Sequence, residues 1–248
     1  MPHADTPPAR PCLVMLPGTL CDGRIFARQA RALRDLADVV RLDYAQLRGR
    51  RDWVAKVLRR LPARFALAGF SLGGLWALEL LRAAPERVDR LALIGSNAAP
   101  GARTASRRSD DLWKLWRGRG PSAVARHVKP AYFHHEATRR RHARLVQQMA
   151  LDTPRQAARQ EFNWAAQRPA GYAALRAFER PLLIVAGAQD RLCPPALQRA
   201  MQLAQPSATR IELQRCGHFV PLEAPADLNR ALAHWLRAPC PPHPKAQP

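Results

Sequence analysis

The chain has no long apolar segment. No stretch approaches the roughly 20 consecutive apolar residues that a helix needs to cross a bilayer. The first ten residues, Met1–Arg10, also lack the apolar core of a secretory signal. These absences argue against an integral membrane protein and against secretion. We therefore expect a protein dissolved in the cytoplasm, with no membrane insertion.

Closely spaced cysteine pairs are also missing. The five cysteines match neither a CxxC redox pair nor a zinc knuckle, since they lie far apart at Cys12, Cys21, Cys193, Cys216 and Cys240. We therefore expect free thiols and no bound metal. Cys21, Cys193 and Cys216 fall in loops that follow predicted strands, so a metal site stays open as an alternative.

Acidic residues are scarce. The chain has 19 Asp and Glu against 40 Lys and Arg, which gives a formal net charge of +21. A charge of this size raises nucleic acid, membrane surfaces and acidic proteins as candidate partners. The basic residues are scattered without a nucleic-acid-binding motif, and only four of them are lysines, which a G+C-rich genome also explains. We predict no nucleic-acid partner and keep an acidic carrier protein as an alternative.

Short apolar runs alternate along the chain with segments of helical periodicity. This alternation implies right-handed βαβ crossovers and therefore an α/β fold with a doubly wound, mostly parallel sheet. The predicted strands are Cys12–Leu16, Val39–Leu42, Phe65–Ala68, Leu91–Ile94, Leu182–Ala186 and Thr209–Leu213.

The pattern changes between Asn97 and Glu179. No run typical of a strand occurs there, and helical periodicity dominates. The clearest helix start has Thr153 as N-cap, Pro154 as the first helical residue and Gln156 in position for a capping box. We therefore predict a helical insertion between the fourth and fifth long strands.

These segments predict one domain over residues 1–248. Its length is within the range that a single α/β core can fill. The predicted parts are a sheet core of about residues 12–97 and 179–237, a helical cap of about residues 98–178 inserted after the strand ending near Ile94, and a Pro-rich, disordered tail at 238–248.

A candidate nucleophile lies where a strand meets a helix. Gly69-Phe70-Ser71-Leu72-Gly73 satisfies the pattern G-x-S-x-G with a predicted strand before it and a buried helix after it. Such a turn forces the serine into a strained backbone conformation and raises its Oγ above the sheet. We predict Ser71 as the nucleophile; a glycine-rich turn without chemistry is the alternative.

A serine hydroxyl needs a base, and the base needs an orienting carboxylate. His218 is the one histidine of eight that follows a predicted strand, and Asp190 directly follows the Leu182–Ala186 strand. The loop after Ile94 offers no carboxylate. We therefore predict His218 as the general base and Asp190 as the residue that orients it.

The oxyanion of a tetrahedral intermediate needs two backbone N–H donors. Leu72 supplies one by its position after the nucleophile. The loop after the first long strand supplies the other, with Thr19 as the first choice and Leu20 as the second.

Taken together, these motifs resemble the α/β-hydrolase superfamily, in the branch that includes carboxylesterases and enol-lactonases. The resemblance spans about residues 12–237, and the family uses the same chain order of serine, acid and histidine. The chain departs from the family in one residue of the first loop, where the family commonly has His-Gly and this chain has Pro17-Gly18. Besides the serine turn, the matching motifs are the Pro17-Gly18 loop, Arg180-Pro181-Leu182, Asp190 with Pro194-Pro195, and Gly217-His218 followed by Glu223-Ala224-Pro225.

This resemblance implies a helical cap over the active site and a serine hydrolase. We expect hydrolysis of a small carboxylic ester or lactone through an acyl-Ser71 intermediate, with neither a metal nor an organic cofactor. Thioester hydrolysis and carbon–carbon bond hydrolysis on the same residues remain alternatives. A protein of this fold that binds a ligand without catalysis is the alternative from another class.

Overall fold

The computed structural model describes residues 10–127 and 129–241, which fold around one central β-sheet. Six strands lie in the order β2-β1-β3-β4-β5-β6, and all five neighbouring pairs are parallel. The predicted α/β fold and doubly wound sheet are confirmed. The strands are β1 (Cys12–Leu16), β2 (Asp38–Arg41), β3 (Phe65–Phe70), β4 (Val88–Ile94), β5 (Leu182–Gly187) and β6 (Thr209–Leu213).

The central strands are continuous apolar runs because helices cover both faces of the sheet. Every residue of β3 and β5 is buried, whereas β2 and β6, at the two edges, are partly exposed. The helices are α1 (Ala27–Leu33), α2 (Arg50–Arg60), α3 (Leu72–Ala83), α4 (Arg103–Arg119), α5 (Pro121–His127), α6 (Glu136–Asp152), α7 (Arg155–Gln167), α8 (Tyr172–Arg176), α9 (Pro195–Ala204), α10 (Val220–Glu223) and α11 (Pro225–Arg237).

Five of these helices, α4 to α8, form the predicted insertion between β4 and β5. Part of the insertion has its own apolar cluster, in which Trp116, Val124 and Phe162 pack together with Leu20 from the loop after β1. A second contact joins the insertion to the sheet layer, where the Trp164 ring stacks on Trp76 of α3 with centroids 5.0 Å apart.

The predicted cap of the α6–α7 junction is wrong. Thr153 Oγ1 donates to the carbonyl oxygen of Met149 at 2.8 Å, so this hydroxyl caps the end of α6 and not the start of α7. Helix α7 begins at Arg155 with Pro154 as its N-cap, and Gln156 accepts a hydrogen bond from Arg48. The preceding helix had free carbonyls that competed for the hydroxyl.

Strand β4 begins three residues before its predicted start. Val88, Asp89 and Arg90 belong to it, and the polar side chains of Asp89 and Arg90 interrupt the apolar pattern from which the strand was predicted. Asp89 pairs with Arg64 at 2.5 Å, and Arg90 donates to the carbonyl oxygen of Trp235 at 3.0 Å.

The ends of the described chain bear on two further expectations. The predicted disorder of the tail at 238–248 falls for the most part outside the described residues, which end at 241. Every helix in the described part of the chain is too short or too polar to span a membrane.

Because all six strands are parallel, their C-terminal ends meet at one edge of the sheet, where the loops after β3, β5 and β6 come together.

Candidate active site

Ser71 lies in the tight turn between β3 and α3. Its backbone has φ 53° and ψ −116°, in the region of positive φ that residues other than glycine avoid. The neighbouring strand stabilises this conformation, since the Ser71 N–H donates to the carbonyl oxygen of Ile94 at 2.9 Å. Ser96 Oγ donates to the Ser71 carbonyl oxygen at 2.8 Å. The sheet therefore fixes the backbone that carries the hydroxyl.

Two glycines leave room for this turn. A Cβ atom on Gly69 would overlap the backbone of Gly73 and Gly74, and one on Gly73 would overlap the carbonyl oxygens of Leu16 and Pro17. The glycines of the G-x-S-x-G pattern thus allow α3 to approach both its own strand and the loop after β1.

We expect Gly69→Ala to destabilise the fold by about 1–3 kcal/mol, because a methyl group cannot enter without moving backbone. Gly118→Ala is the matched control: nothing lies within 4 Å of its added Cβ, and alanine favours the helix by about 0.5–1 kcal/mol. Urea unfolding of both variants measures the difference. Equal stability of the two variants would contradict the packing argument.

His218 lies in the loop after β6, next to Ser71. Its Nε2 atom is 3.0 Å from Ser71 Oγ, and the residue is only 2% exposed. The His218 N–H donates to the carbonyl oxygen of Tyr132 at 2.8 Å, and the rings of Phe70 and Tyr132 lie 5.2 and 5.7 Å from the imidazole. Backbone and ring contacts therefore hold the imidazole beside the hydroxyl.

Asp190 lies on the far side of the imidazole. Its Oδ2 atom is 2.8 Å from His218 Nδ1. Its Oδ1 atom accepts the N–H groups of Leu192 and Cys193, each at 2.8 Å. The side chain is completely buried, so both oxygens have defined partners. Ser71, His218 and Asp190 thus form one hydrogen-bonded chain.

The two residues predicted to donate to an oxyanion, Leu72 and Thr19, line the same cavity as Ser71. Among the described residues, neither N–H donates to a protein acceptor. The second choice, Leu20, differs because its N–H donates to Glu161 Oε2 at 2.7 Å. The amide of Leu20 is therefore occupied, which leaves Thr19 as the candidate from this loop.

The cavity in front of Ser71 has a volume of about 460 Å³, within the usual range for small-molecule sites. The insertion contributes much of its wall through α4, α5 and α7, including Leu112, Val124 and Phe162. Arg108 and Arg168 are the charged residues of the wall, and no Asp or Glu is among its described lining residues. The cavity suits a ligand with an apolar body and a negatively charged group.

Arg168 is half-buried and donates to uncharged acceptors. Its Nε atom donates to the carbonyl oxygen of Ala99 at 2.9 Å, Nη2 donates to Asn97 Oδ1 at 3.3 Å, and Nη1 donates to the carbonyl oxygen of Ala165. Burial lowers the pKa of this guanidinium, and a neighbouring thiol, Cys193, opposes the shift. Arg168 therefore brings a positive charge to the cavity wall, and its hydrogen bonds within the described residues go to no carboxylate.

The thiol of Cys193 also lines the cavity. Burial and the charge of Asp190 raise its pKa to about 12. A thiol with such a pKa stays protonated and is a poor nucleophile at neutral pH. All five cysteines lie within the described residues and are free. The described residues also contain no group of three or more His, Cys, Asp or Glu placed to hold a metal ion.

Three residues at this site were missed by the sequence interpretation. No pattern in the sequence singled out Tyr132, yet its carbonyl oxygen and ring both contact His218. Glu223 was noted only as part of a motif, yet its carboxyl oxygens accept the N–H groups of His134 at 2.7 Å and Phe219 at 3.2 Å. Glu161 was not singled out either, although the pattern of α7 places it on the apolar face with Ala157, Ala158 and Phe162.

Comparison with known proteins gives related sequences and structures. The chain is 30% identical over 193 residues, 71% of this chain and 75% of the relative, to a pimeloyl-[acyl-carrier protein] methyl ester esterase from Aromatoleum aromaticum. A thermophilic esterase from Thermogutta terrifontis superposes with a TM-score of 0.79 at 23% identity, covering 92% of this chain and 89% of the esterase. An enol-lactonase from Burkholderia xenovorans LB400 gives a TM-score of 0.76 at 21% identity, with 92% of each chain covered.

The two solved structures share the fold with this chain, in agreement with the resemblance drawn from its motifs. The model of the alpha/beta hydrolase family matches residues 13–231. Apart from Cys12, the first residue of β1, this range contains the six strands, the insertion and the loops that carry Ser71, Asp190 and His218. The chain therefore belongs to the alpha/beta hydrolase family.

Proposed function

We propose that this protein is a serine hydrolase that cleaves a small carboxylic ester or lactone through an acyl-Ser71 intermediate. The observation that carries the proposal is the chain of contacts from Asp190 Oδ2 to His218 Nδ1, 2.8 Å, and from His218 Nε2 to Ser71 Oγ, 3.0 Å. These are the distances that a nucleophile, a general base and an orienting acid require. Ser71 and His218 both line a cavity, which gives a substrate access to Ser71.

The proposed reaction begins when His218 Nε2 takes the proton of the Ser71 hydroxyl. Oγ then attacks the carbonyl carbon, and the carbonyl oxygen becomes an oxyanion that accepts hydrogen bonds from the N–H groups of Leu72 and Thr19. Collapse of this intermediate releases the alcohol, which takes the proton from His218. Water, activated by the same histidine, then hydrolyses the acyl-Ser71 ester and frees the acid.

Asp190 has an orienting role in this proposal. Its Oδ2 atom accepts the hydrogen bond from His218 Nδ1–H, which leaves Nε2 unprotonated and directed at Ser71. It also stabilises the imidazolium that forms during attack. The backbone donors on Oδ1 keep the carboxylate from rotating.

The proposed substrate class follows from the cavity and from the relatives. The cavity of about 460 Å³ has a largely apolar wall and fits a short acyl chain. The 30% identical relative is named for a methyl ester on a carrier-bound acyl group. A carrier-bound ester is therefore one proposed form of the substrate, with an acidic carrier protein as the partner. Thioester and carbon–carbon bond hydrolysis use the same first step and differ in the leaving group.

In this proposal, helices α4 to α8 form a cap that shapes the acyl pocket, and the cap and the sheet core form one domain.

A panel of p-nitrophenyl esters, methyl esters, lactones and thioesters tests the substrate class on wild type and on Ser71→Ala. Labelling with a fluorophosphonate probe separates an enzyme from a binding protein of this fold, since only an activated serine reacts. Wild-type protein that neither labels nor hydrolyses any member of the panel would overturn the proposal.

We expect the cavity arginines to favour an anionic substrate. An ester with a distal carboxylate should have a kcat/KM about tenfold higher than a neutral isostere at low ionic strength, because positive charge at the cavity raises the encounter rate. The advantage should shrink to about twofold at roughly 0.5 M salt, where exposed charges are screened. Steady-state kinetics with both esters across a salt series measures this ratio.

The matched variants for this prediction lie on one helix. Arg108 of α4 lines the cavity, whereas Arg117 of the same helix is exposed and lies outside its wall. Arg108→Gln and Arg117→Gln change the net charge equally and differ in where the charge is removed. Arg108→Gln should lower the preference for the carboxylate ester, because it removes a charge from the cavity wall, whereas Arg117→Gln should leave the preference unchanged. Equal kcat/KM for the two esters with wild type at low salt would show that the charge has no part in substrate choice.

A further inference from the structure

The loop after β1 contains a strained residue beside the proposed oxyanion donor. Leu20 has φ 51°, which a residue with a side chain adopts only where other contacts stabilise it. Leu20 is also fully buried. Thr19 directly precedes Leu20 in the chain. The backbone conformation of Leu20 therefore affects how the Thr19 backbone is oriented.

The loop after β1 borders open space as well as packed side chains. Leu20 packs in the apolar cluster of the insertion. A second cavity of about 350 Å³ has Cys21, Tyr44 and Glu161 in its wall. Cys21 lines this cavity and the one in front of Ser71, so the loop borders both. Where the loop borders open space it lacks packing partners, and hydrogen bonds add to the packing of Leu20 in fixing its position.

One of these hydrogen bonds comes from the insertion. Glu161 Oε2, on α7, accepts the Leu20 N–H at 2.7 Å across 141 residues of chain. Glu161 is only 1% exposed, on a helix face that it shares with Ala157, Ala158 and Phe162. A buried carboxyl group costs free energy unless its hydrogen bonds compensate, and the Leu20 amide is the partner that it reaches in the loop.

A second hydrogen bond comes from the sheet side of the molecule. The Tyr44 hydroxyl donates to the carbonyl oxygen of Pro17 at 2.9 Å, and Tyr44 is 2% exposed. Burial raises the pKa of this phenol well above its usual value, with a further contribution from the charge of Glu161. The hydroxyl therefore stays protonated and keeps donating. Pro17 and Leu20 flank Thr19, so the loop is anchored on both sides of the proposed donor.

We propose that Glu161 is a positioning residue for the oxyanion hole, which rests on the proposed hydrolase function. By accepting the Leu20 N–H, it holds Leu20 in its left-handed conformation and keeps the Thr19 N–H directed at the reacting carbonyl oxygen. Tyr44 supports the other end of the same segment. Because Glu161 belongs to the insertion, the oxyanion hole is complete only while α7 is seated against the loop.

A purely structural role for Glu161 predicts a different result. If the residue only fastened the insertion to the core, its loss would loosen the substrate cavity and raise KM. A positioning role acts on the oxyanion, which exists only in the transition state and the intermediate. Its loss therefore lowers kcat with little change in KM.

The test uses p-nitrophenyl butyrate with wild type, Glu161→Ala and Glu161→Gln. We expect kcat of Glu161→Ala to fall about 100-fold, because displacing one oxyanion donor costs about 10²–10³, with KM unchanged within about threefold. Glu161→Gln keeps a carbonyl oxygen for the Leu20 amide and should lose less than about tenfold. A trifluoromethyl ketone, whose adduct with Ser71 carries an oxyanion, should bind more weakly to Glu161→Ala by the factor lost in kcat/KM.

Two controls isolate this effect. Asp152→Ala removes another contact between the insertion and the core, the ion pair with Arg24 at 2.5 Å, and should leave kcat within about threefold of wild type. Ser71→Ala gives the background rate: if wild type does not exceed it, the proposed function fails and not the role of Glu161. Thermal unfolding of each variant checks that it is folded.

Three outcomes with active wild type would overturn the positioning role. One is a kcat of Glu161→Ala within threefold of wild type, and another is a rise in KM that matches the fall in kcat. Should Glu161→Ala fail to fold, Tyr44→Phe decides, because it removes one hydroxyl and leaves the ring. We expect its kcat to fall about tenfold at constant KM, and an unchanged kcat would overturn the anchoring of this loop.

Discussion

Ser71→Ala is expected to fold like the wild-type protein and to lose about 10⁶ in kcat. The substitution removes only Oγ, the atom 3.0 Å from His218 Nε2, so no covalent acyl intermediate can form. The backbone strain at φ 53° is unchanged, because alanine and serine both carry a Cβ atom. The residual rate comes from binding and from the oxyanion donors, which remain in place.

Initial rates of p-nitrophenyl ester hydrolysis measure this loss, and mass spectrometry after fluorophosphonate treatment checks that the label is absent. Ser207→Ala is a suitable control, since Ser207 is exposed and its hydroxyl bonds to Gln205 Oε1 at 3.0 Å, in the turn before β6. The control should label and react like wild type. A Ser71→Ala protein with more than about a tenth of the wild-type kcat would remove Ser71 from the role of nucleophile.

The residues that meet at the C-terminal edge of the sheet could be predicted because their positions depend on local signals. Ser71, Asp190 and His218 each follow a short apolar run, and runs of this kind become parallel strands whose ends meet at one edge. The spacing in the chain between the three residues is then irrelevant. Once the sheet is parallel, the strand order brings the three loops together.

The contacts between the insertion and the core could not be predicted in this way. The hydrogen bond from Leu20 to Glu161 joins residues 141 positions apart, and it depends on how α7 packs, which no local pattern specifies. Glu161 on the apolar face of α7 carried a usable signal, since an acid among buried positions needs a partner. The chain alone did not identify that partner. The Thr153 error has a different cause: the contact is local, since the hydroxyl donates to the Met149 carbonyl oxygen four residues earlier, and the sequence pattern allowed both this contact and a cap of the following helix.

The second large effect is expected for Asp190. Asp190 Oδ1 accepts two backbone N–H groups, from Leu192 and Cys193, and Oδ2 faces His218 Nδ1 at 2.8 Å. An asparagine at this position must place its own oxygen where the two donors are, because an NH₂ group there would meet N–H groups. Its NH₂ group then faces Nδ1 of His218.

Asp190→Asn should therefore lower kcat by about 10⁴ while leaving the fold and KM nearly unchanged. With an NH₂ group opposite Nδ1, the imidazole must carry its proton on Nε2, the atom that has to accept the proton of Ser71. Steady-state kinetics gives the loss, and a ¹⁵N NMR spectrum of the imidazole reports which nitrogen is protonated. Asp227→Asn, an exposed pair with Arg230, is the matched control and should keep the wild-type rate. A wild-type rate in Asp190→Asn, or an Nδ1-protonated imidazole in that variant, would show that Asp190 does not orient His218.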